Sequence, residues 1–246
     1  MRAGLPSRTL ISPAHALYFS PVFCYNEKNT SKEFPMKTVA VLLAPGFEEI
    51  EAITVIDYLR RAGIGVTTVA VPSAESAGTT VVGSHDVPVI ADTTLAAYRA
   101  AQTMPDAIYA PGGMPGAANI SANKDALALI AACADAGKLV AAICAAPVVV
   151  LAKTGLLKGK RFTCYPGMQE SLAEWCGGED KAQECTAGAT LVPDVPFVHD
   201  GNVLTGRGPG TAEQYAMAFV RALTDENTRD KVAAGACQRG YETPTV

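Results

Sequence analysis

The feature that most constrains the fold is a set of short, almost uninterrupted apolar runs separated by helix-like segments. Residues 37–43 (KTVAVLL) and 138–143 (KLVAAI) have this character and lack the polar alternation of a strand with one solvated face. Such runs are typical of parallel strands that are covered on both sides. Hydrophobic residues make up 49% of the chain and charged residues only 18%, which agrees with buried elements of this kind.

The first apolar run is followed by a predicted helix over Glu48–Ala62. Its first turn is acidic, its last turn carries Arg60 and Arg61, and Gly63 provides a C-terminal stop. The expected core-facing stripe of this helix consists of Ile50, Ile53, Ile56 and Leu59.

The same alternation of strand and helix continues along the chain. Predicted strands cover 64–71, 107–110, 161–164, 190–193 and 203–205; predicted helices cover 125–136, 147–153, 209–223 and 229–236; and 79–90 is expected to form an antiparallel hairpin. This order predicts an α/β fold, a three-layer sandwich with a mostly parallel, doubly wound sheet. One domain over residues 36–246 fits the length.

The overall composition excludes several functional classes. The formal net charge is −4 and the hydrophobic content is ordinary, so the chain is neither disordered nor a basic nucleic-acid binder. No apolar run approaches the roughly 18 residues of a membrane span. We therefore expect neither a membrane nor a specific nucleic acid as a partner.

Residues 1–35 differ from the rest of the sequence. Residues 1–26 contain no acidic residue, a composition that resembles a mitochondrial presequence, but Pro6, Pro13 and Pro21 interrupt any long amphipathic helix. The alternatives are a disordered extension, or a native start at Met36, immediately before the first strand. The expected location is cytoplasmic, or mitochondrial if the extension is a presequence.

Cysteine usage favours reduced thiols and no metal site. The seven cysteines are an odd number with no C-x-x-C spacing, which favours an intracellular protein. The three histidines are separate from them in sequence, so a zinc site would require long-range assembly.

Cys144 is the strongest candidate nucleophile. It lies between a buried strand and Pro147, with no room for a loop, as in a nucleophile elbow. A helix N-terminus there would lower the pKa of the thiol and offer backbone N–H groups to an oxyanion. The alternative is a cysteine that only fills an Ala-rich core.

Two further strand ends carry candidate site residues. Gly112 and Gly113 form either a plain turn or a close approach of backbone N–H groups to a site. By helical spacing Glu51 lies with Val55 and Tyr58 rather than with the expected solvent-facing pair Glu48 and Glu49. It is either a helix-dipole carboxylate or a buried acid with a raised pKa.

Four motifs in order carry a family resemblance: residues 46–51 (GFEEIE), 111–113 (PGG), 141–147 (AAICAAP) and 204–211 (LTGRGPGT). Together they resemble the DJ-1/ThiJ/PfpI superfamily, in its Parkinson-disease-protein branch, over residues 37–236. The resemblance implies a flavodoxin-like sandwich, a homodimer and no cofactor. It implies that Cys144 is the reactive cysteine, Glu51 the acid bonded to it, and the Gly113 and Ala145 amides the oxyanion site.

The resemblance also implies an activity: conversion of methylglyoxal to lactate, or removal of methylglyoxal adducts from proteins. The alternative is redox sensing through a Cys144 sulfinate. An older family name refers to thiazole monophosphate synthesis, which nothing in this sequence supports. Tyr165 stands where relatives often have histidine. The candidate contacts to a substrate or anion are Tyr165, Gly112, Arg61 and His85. His85 stands where the family has an arginine near the dimer interface.

Overall fold

The computed structural model describes residues 36–73 and 77–238. The strands within this part are β1 (Thr38–Leu43), β2 (Gly65–Ala70), β3 (Thr80–Val82), β4 (Pro88–Ile90), β5 (Thr93–Thr94), β6 (Ala107–Ala110), β7 (Leu139–Ile143), β8 (Arg161–Phe162), β9 (Thr190–Leu191), β10 (Phe197–Asp200) and β11 (Val203–Gly206). The α-helices are α1 (Glu49–Arg61), α2 (Leu95–Ala100), α3 (Gly116–Ala122), α4 (Lys124–Asp135), α5 (Leu172–Cys176), α6 (Glu179–Cys185), α7 (Ala212–Leu223) and α8 (Glu226–Gly235).

Seven strands form the central sheet, in the order β10-β11-β7-β6-β1-β2-β5. Neighbouring strands pair in parallel, except that β10 is antiparallel to β11. The predicted hairpin is also present, since β3 and β4 pair antiparallel outside this sheet. Strands β8 and β9 pair with each other in a third, small sheet.

The sheet has a hydrophobic core on each face. On one face, Ile120 of α3 and Ile130 of α4 pack with the strand residue Leu42. On the other, Leu59 of α1 and Phe219 of α7 pack together. Helices therefore cover both faces, and the predicted three-layer α/β sandwich with a mostly parallel sheet is confirmed.

The expected stripe of α1 is wrong at two of its four positions. Ile50 is 56% exposed and Ile53 is 43% exposed, whereas Ile56 and Leu59 are buried as expected. The face that packs on the sheet is completed instead by Ala52 and Val55. Periodicity finds an apolar face but does not tell which of two apolar faces meets the sheet.

The expected helix after Cys144 is present in a different form. Residues Pro147–Leu151 form one π-helical segment, and Ala152–Thr154 continue as a 3-10 turn. π-helical turns are rare in proteins overall, and those that occur are often located at functional sites.

The expected extension, residues 1–35, lies outside the described residues. None of the helices in 36–73 and 77–238 has both the length and the hydrophobicity that a bilayer span requires.

Candidate active site

Cys144 occupies a strained turn between β7 and the π-helical segment. Its φ is +63°, in the left-handed region that costs a non-glycine residue about 1–3 kcal/mol. Its N–H donates to the Gly206 carbonyl (2.9 Å), and its own carbonyl accepts from the Tyr165 N–H (2.8 Å). The predicted elbow is thus present, and backbone hydrogen bonds on both sides hold its conformation.

Glu51 lies in the first turn of α1 and is fully buried. Its Oε2 accepts a hydrogen bond from the Gly112 N–H at 2.8 Å. Its Oε1 is buried and has no hydrogen-bond partner among the described residues. A buried carboxyl oxygen without a hydrogen-bond partner lowers the stability of the fold, unless it carries a proton or receives one during function.

Gly112 allows the acid and the thiol to approach each other. A Cβ added to Gly112 would lie 2.6 Å from the Cβ of Cys144 and 2.6 Å from Oε2 of Glu51. No side chain fits there without displacing one of the two. Gly112 therefore acts by being small and by donating its N–H to Glu51.

Glu51 and Cys144 titrate as a coupled pair. Burial raises the pKa of Glu51 to about 8. The pKa of the Cys144 thiol is also raised above its ordinary value, first by burial and second by the charge of Glu51. Because the second ionisation would place two negative charges side by side, the pair loses one proton far more easily than two.

The Gly113 and Ala145 amides face the sulfur of Cys144. Both act as backbone hydrogen-bond donors to the thiolate and lower its pKa. The amides lower the thiol pKa as expected, but burial and the charge of Glu51 outweigh them, so the net direction is upward and not downward. Gly113 has a φ of +85°, and a Cβ there would lie 2.6 Å from the Gly46 carbonyl oxygen. Only glycine therefore brings this amide to the site.

Two residues that support Glu51 were not predicted from the sequence. Glu48, expected to face solvent, is only 7% exposed because its side chain folds back to cap α1 and accepts from the Glu51 N–H at 2.7 Å. Glutamate is not one of the residues that commonly cap a helix N-terminus, so no sequence signal marks this cap. Tyr109 donates from its hydroxyl to the Glu51 carbonyl at 3.1 Å, and no sequence pattern marks that contact.

Tyr165 and Arg61 are placed very differently. The backbone N–H of Tyr165 donates a hydrogen bond to the Cys144 carbonyl, and the residue is 48% exposed. Arg61 lies at the far end of α1 in an ion pair with Asp57 (2.7 Å). It lies ten positions along the helix from Glu51, a rise of about 15 Å. Within the described part of one chain, Arg61 is not brought to Cys144.

His85 is held by Glu49 in the loop between β3 and β4. Its backbone N–H donates to Glu49 Oε1 (2.7 Å), and its Nδ1 lies 2.8 Å from Glu49 Oε2. Burial raises the pKa of Glu49, but its hydrogen bonds with His85 lower it more, to about 2. Glu49 in turn raises the pKa of His85. Ligand atoms of Glu48, Glu49 and His85 lie within 4.8 Å of one another, as a metal site requires. Both oxygens of Glu49 are nevertheless already engaged by His85.

The chain is similar to known proteins over nearly all of its described length. The DJ-1/PfpI family model matches residues 37–222. The protein dj-1beta of Drosophila melanogaster is 37% identical over 199 residues, which cover 81% of this chain and 96% of that protein. The crystal structure of a DJ-1 superfamily protein of Salmonella typhimurium is 37% identical, with a TM-score of 0.70 and coverage of 82% and 98%. Oxidized DJ-1 of Toxoplasma gondii is 31% identical, with a TM-score of 0.69 and coverage of 83% and 100%. This chain therefore belongs to the DJ-1/PfpI family.

Proposed function

We propose that this protein is a cofactor-independent cysteine enzyme of the glyoxalase III or protein deglycase type. Its substrate would be methylglyoxal or the adducts that methylglyoxal forms, and its role would be defence against oxidative and carbonyl stress. The observation that carries the proposal is the buried, coupled pair of Cys144 and Glu51 beside two backbone amides. Membership of the DJ-1/PfpI family, which includes enzymes of this type, supports it.

The first step is addition of the thiol to the aldehyde. When the pair has lost one proton and Glu51 holds the remaining one, Cys144 is a thiolate. Its sulfur attacks the aldehyde carbon of methylglyoxal and forms a hemithioacetal. The Gly113 and Ala145 amides stabilise the oxygen that becomes negative, and Glu51 supplies its proton.

The second step moves a proton between adjacent carbons. Glu51, now a carboxylate, accepts the proton from the carbon bonded to sulfur and returns it to the neighbouring carbon through an enediol. The product is a thioester of lactate on Cys144. Water then hydrolyses the thioester, which releases lactate and restores the thiol. The sum is methylglyoxal plus water giving lactate.

Because position 165 is a tyrosine and not a histidine, only Cys144 and Glu51 act as acid–base groups in this mechanism. A phenol is a much weaker base than an imidazole and does not replace the histidine that relatives often have there. We therefore assign Tyr165 to shaping the pocket or bonding a substrate oxygen. Gly112 and His85 remain proposed contacts, and Arg61 would need the partner subunit to reach a substrate.

The second candidate function is redox sensing. The Oε1 atom of Glu51, buried without a partner among the described residues, suits a hydrogen bond to one oxygen of a Cys144 sulfinate. The Gly113 and Ala145 amides suit the other oxygen. In that case the oxidised state would alter partner binding, and no turnover would occur.

We also propose that the protein forms a homodimer through an exposed apolar surface. Ile50 and Ile53 lie one turn apart on α1, and Val82 and Val87 project from the adjacent hairpin, all at least 42% exposed. The hairpin lies against the start of α1 through the bond from the Gly46 N–H to the Val82 carbonyl. An apolar patch of this kind marks a protein interface. We propose a cytoplasmic location, or a mitochondrial one if residues 1–35 are a presequence.

The test is steady-state lactate production from methylglyoxal by the wild type and by Cys144→Ala. Each protein is purified by two unrelated routes, so that a contaminating enzyme would be recognised by unequal activity. The proposal predicts lactate from the wild type and none from the variant. Equal production by both proteins, or none by either, would overturn it, and the second result would favour redox sensing.

A further inference from the structure

Two cysteines outside the active site lie at the ends of two adjacent short helices. Cys176 is the last residue of α5 and Cys185 is the last residue of α6. Gly177 and Gly178 join the helices, and both donate their N–H groups to the Ala173 carbonyl, at 3.1 and 2.7 Å. These bonds end α5 and turn the chain, so that α6 packs back on α5.

The two thiols meet at the edge of one hydrophobic core. Cys176 is buried in that core, and Cys185 is half-buried against it. The two side chains interact directly, and burial followed by this interaction raises the pKa of Cys176. The charge of Lys153 opposes this rise, because a nearby ammonium group favours the thiolate, which is the reactive form.

We infer that Cys176 and Cys185 form a dithiol that peroxide oxidises to an intramolecular disulfide, at a redox site separate from Cys144. The half-buried position of Cys185 lets peroxide reach one sulfur, while the burial of Cys176 keeps the second sulfur in place to react next. Both cysteines are terminal residues of short helices, so closing an S–S bond between them would draw on the last turn of each helix, which is where helices fray.

The chemistry balances with hydrogen peroxide as the oxidant. The Cys185 thiolate attacks one oxygen of peroxide, breaks the O–O bond and becomes a sulfenic acid, with release of water. The Cys176 sulfur then attacks the sulfenic sulfur, displaces its oxygen as a second water and closes the S–S bond. The two thiols lose two electrons and two protons, and peroxide gains both.

The position of this dithiol connects it to the active-site elbow. Helix α5 contacts both the π-helical segment Pro147–Leu151, which follows Cys144, and the 3-10 turn that carries Lys153. A disulfide would tie α5 to α6 directly behind that segment. Its formation is reversible by thiols, whereas a sulfinate on Cys144 is not.

The experiment is peptide mass mapping of the full chain after exposure to a few equivalents of hydrogen peroxide. Free thiols are alkylated, and the protein is cut with trypsin and Glu-C without reduction. This digest separates Cys176 (residues 175–179, WCGGE) from Cys185 (residues 185–207) and from Cys164 (residues 162–170). The inference predicts a linked pair, 175–179 with 185–207, two hydrogens lighter than the sum and released by dithiothreitol.

The variants Cys176→Ser and Cys185→Ser should each abolish the linked pair, and Cys164→Ala should leave it unchanged. Because Cys185 is only half-buried, its variant is expected to fold even if serine is not tolerated at Cys176. Circular dichroism checks both. Separate peptides carrying alkylated or individually oxidised cysteines would overturn the inference. So would a linked pair found only in covalent dimers on a non-reducing gel.

Discussion

At the scale of single residues, the proposed chemistry depends on how Cys144 and Glu51 share protons. Both groups are buried, and burial disfavours the ionised form of each. The first proton therefore leaves the pair, rather than one residue, and the single negative charge then lies on the carboxylate or on the sulfur. The proposed addition to an aldehyde requires the second arrangement, which the Gly113 and Ala145 amides favour.

The pH dependence of stability tests this account. In the folded state the pKa of Glu51 is about 8, and in the unfolded chain it is near 4.5. Between these values the folded protein holds a proton that the unfolded chain has lost, so the free energy of unfolding falls as pH rises. Glu51→Gln removes this titration. Its Tm should therefore rise relative to that of the wild type from pH 5 to pH 8, by at least about 2 °C.

Thermal melts of both proteins at four pH values across this range provide the measurement. Glu174→Gln, at an exposed position on α5, is the matched control and should follow the wild type. Parallel curves for the wild type and Glu51→Gln would mean that Glu51 titrates normally despite its burial.

Tyr165→Phe tests the assignment of the tyrosine. If its hydroxyl makes one hydrogen bond to the substrate, the loss is about 0.5–1.5 kcal/mol, which is about twofold to tenfold in kcat/KM. Steady-state lactate assays measure it. A loss of three orders of magnitude in a folded variant would make Tyr165 an essential acid and contradict the two-residue mechanism.

At the scale of elements, three strand ends build the site. The turn after β7 holds Cys144, the turn after β6 holds Gly112 and Gly113, and the loop after β1 begins the helix that carries Glu51. These strands are neighbours and parallel, so their carboxyl ends meet at one edge of the sheet.

Gly112→Ala should disrupt this junction. The added methyl group would lie 2.6 Å from atoms of both Cys144 and Glu51 and 2.9 Å from the Ile143 carbonyl oxygen. Overpacking of this kind costs about 1–3 kcal/mol, so Tm should fall by about 3–10 °C and lactate production should be lost.

Gly78→Ala is the control, because a Cβ at Gly78 meets no described atom within 4 Å. Differential scanning calorimetry and the lactate assay compare the two variants. Retention of wild-type Tm and activity in Gly112→Ala would show that the acid and the thiol are not packed closely against Gly112.

The sequence predicts some of these elements better than others, for physical reasons. The elbow at Cys144 was predictable because a buried strand and Pro147 leave no residues for a loop. The buried position of Glu48 was not, because a capping side chain folds back on its own helix. Helices α5 and α6 were missed because five and seven residues are too few to show a period.

At the scale of the whole molecule, the orientation of α1 differs from the one expected and points to an interface. Its spacing marks Ile50 and Ile53 as apolar-face residues, yet no described part of this chain covers them. A second copy of the chain would bury them together with the hairpin residues. The same surface lies next to His85, which links the proposed assembly to the proposed anion contact.

Ile53→Asp should therefore convert a dimer to a monomer. An isolated carboxylate at the centre of an apolar interface is strongly unfavourable. Sedimentation velocity should give twice the chain mass of 25.5 kDa for the wild type and one chain mass for the variant. Met104→Asp is the control, since Met104 is also 43% exposed and lies outside the patch. A monomeric wild type, or a dimeric Ile53→Asp, would refute the assignment of this surface.

The central claim is that Cys144 performs the addition while Glu51 moves the proton, and Glu51→Gln separates these two steps. Glutamine keeps the size of the side chain and donates a hydrogen bond, but it does not relay a proton. After mixing with methylglyoxal, intact-protein mass spectrometry should show the adduct on Cys144, while kcat for lactate falls about a hundredfold or more. A folded Glu51→Gln that forms lactate at the wild-type rate would contradict the account.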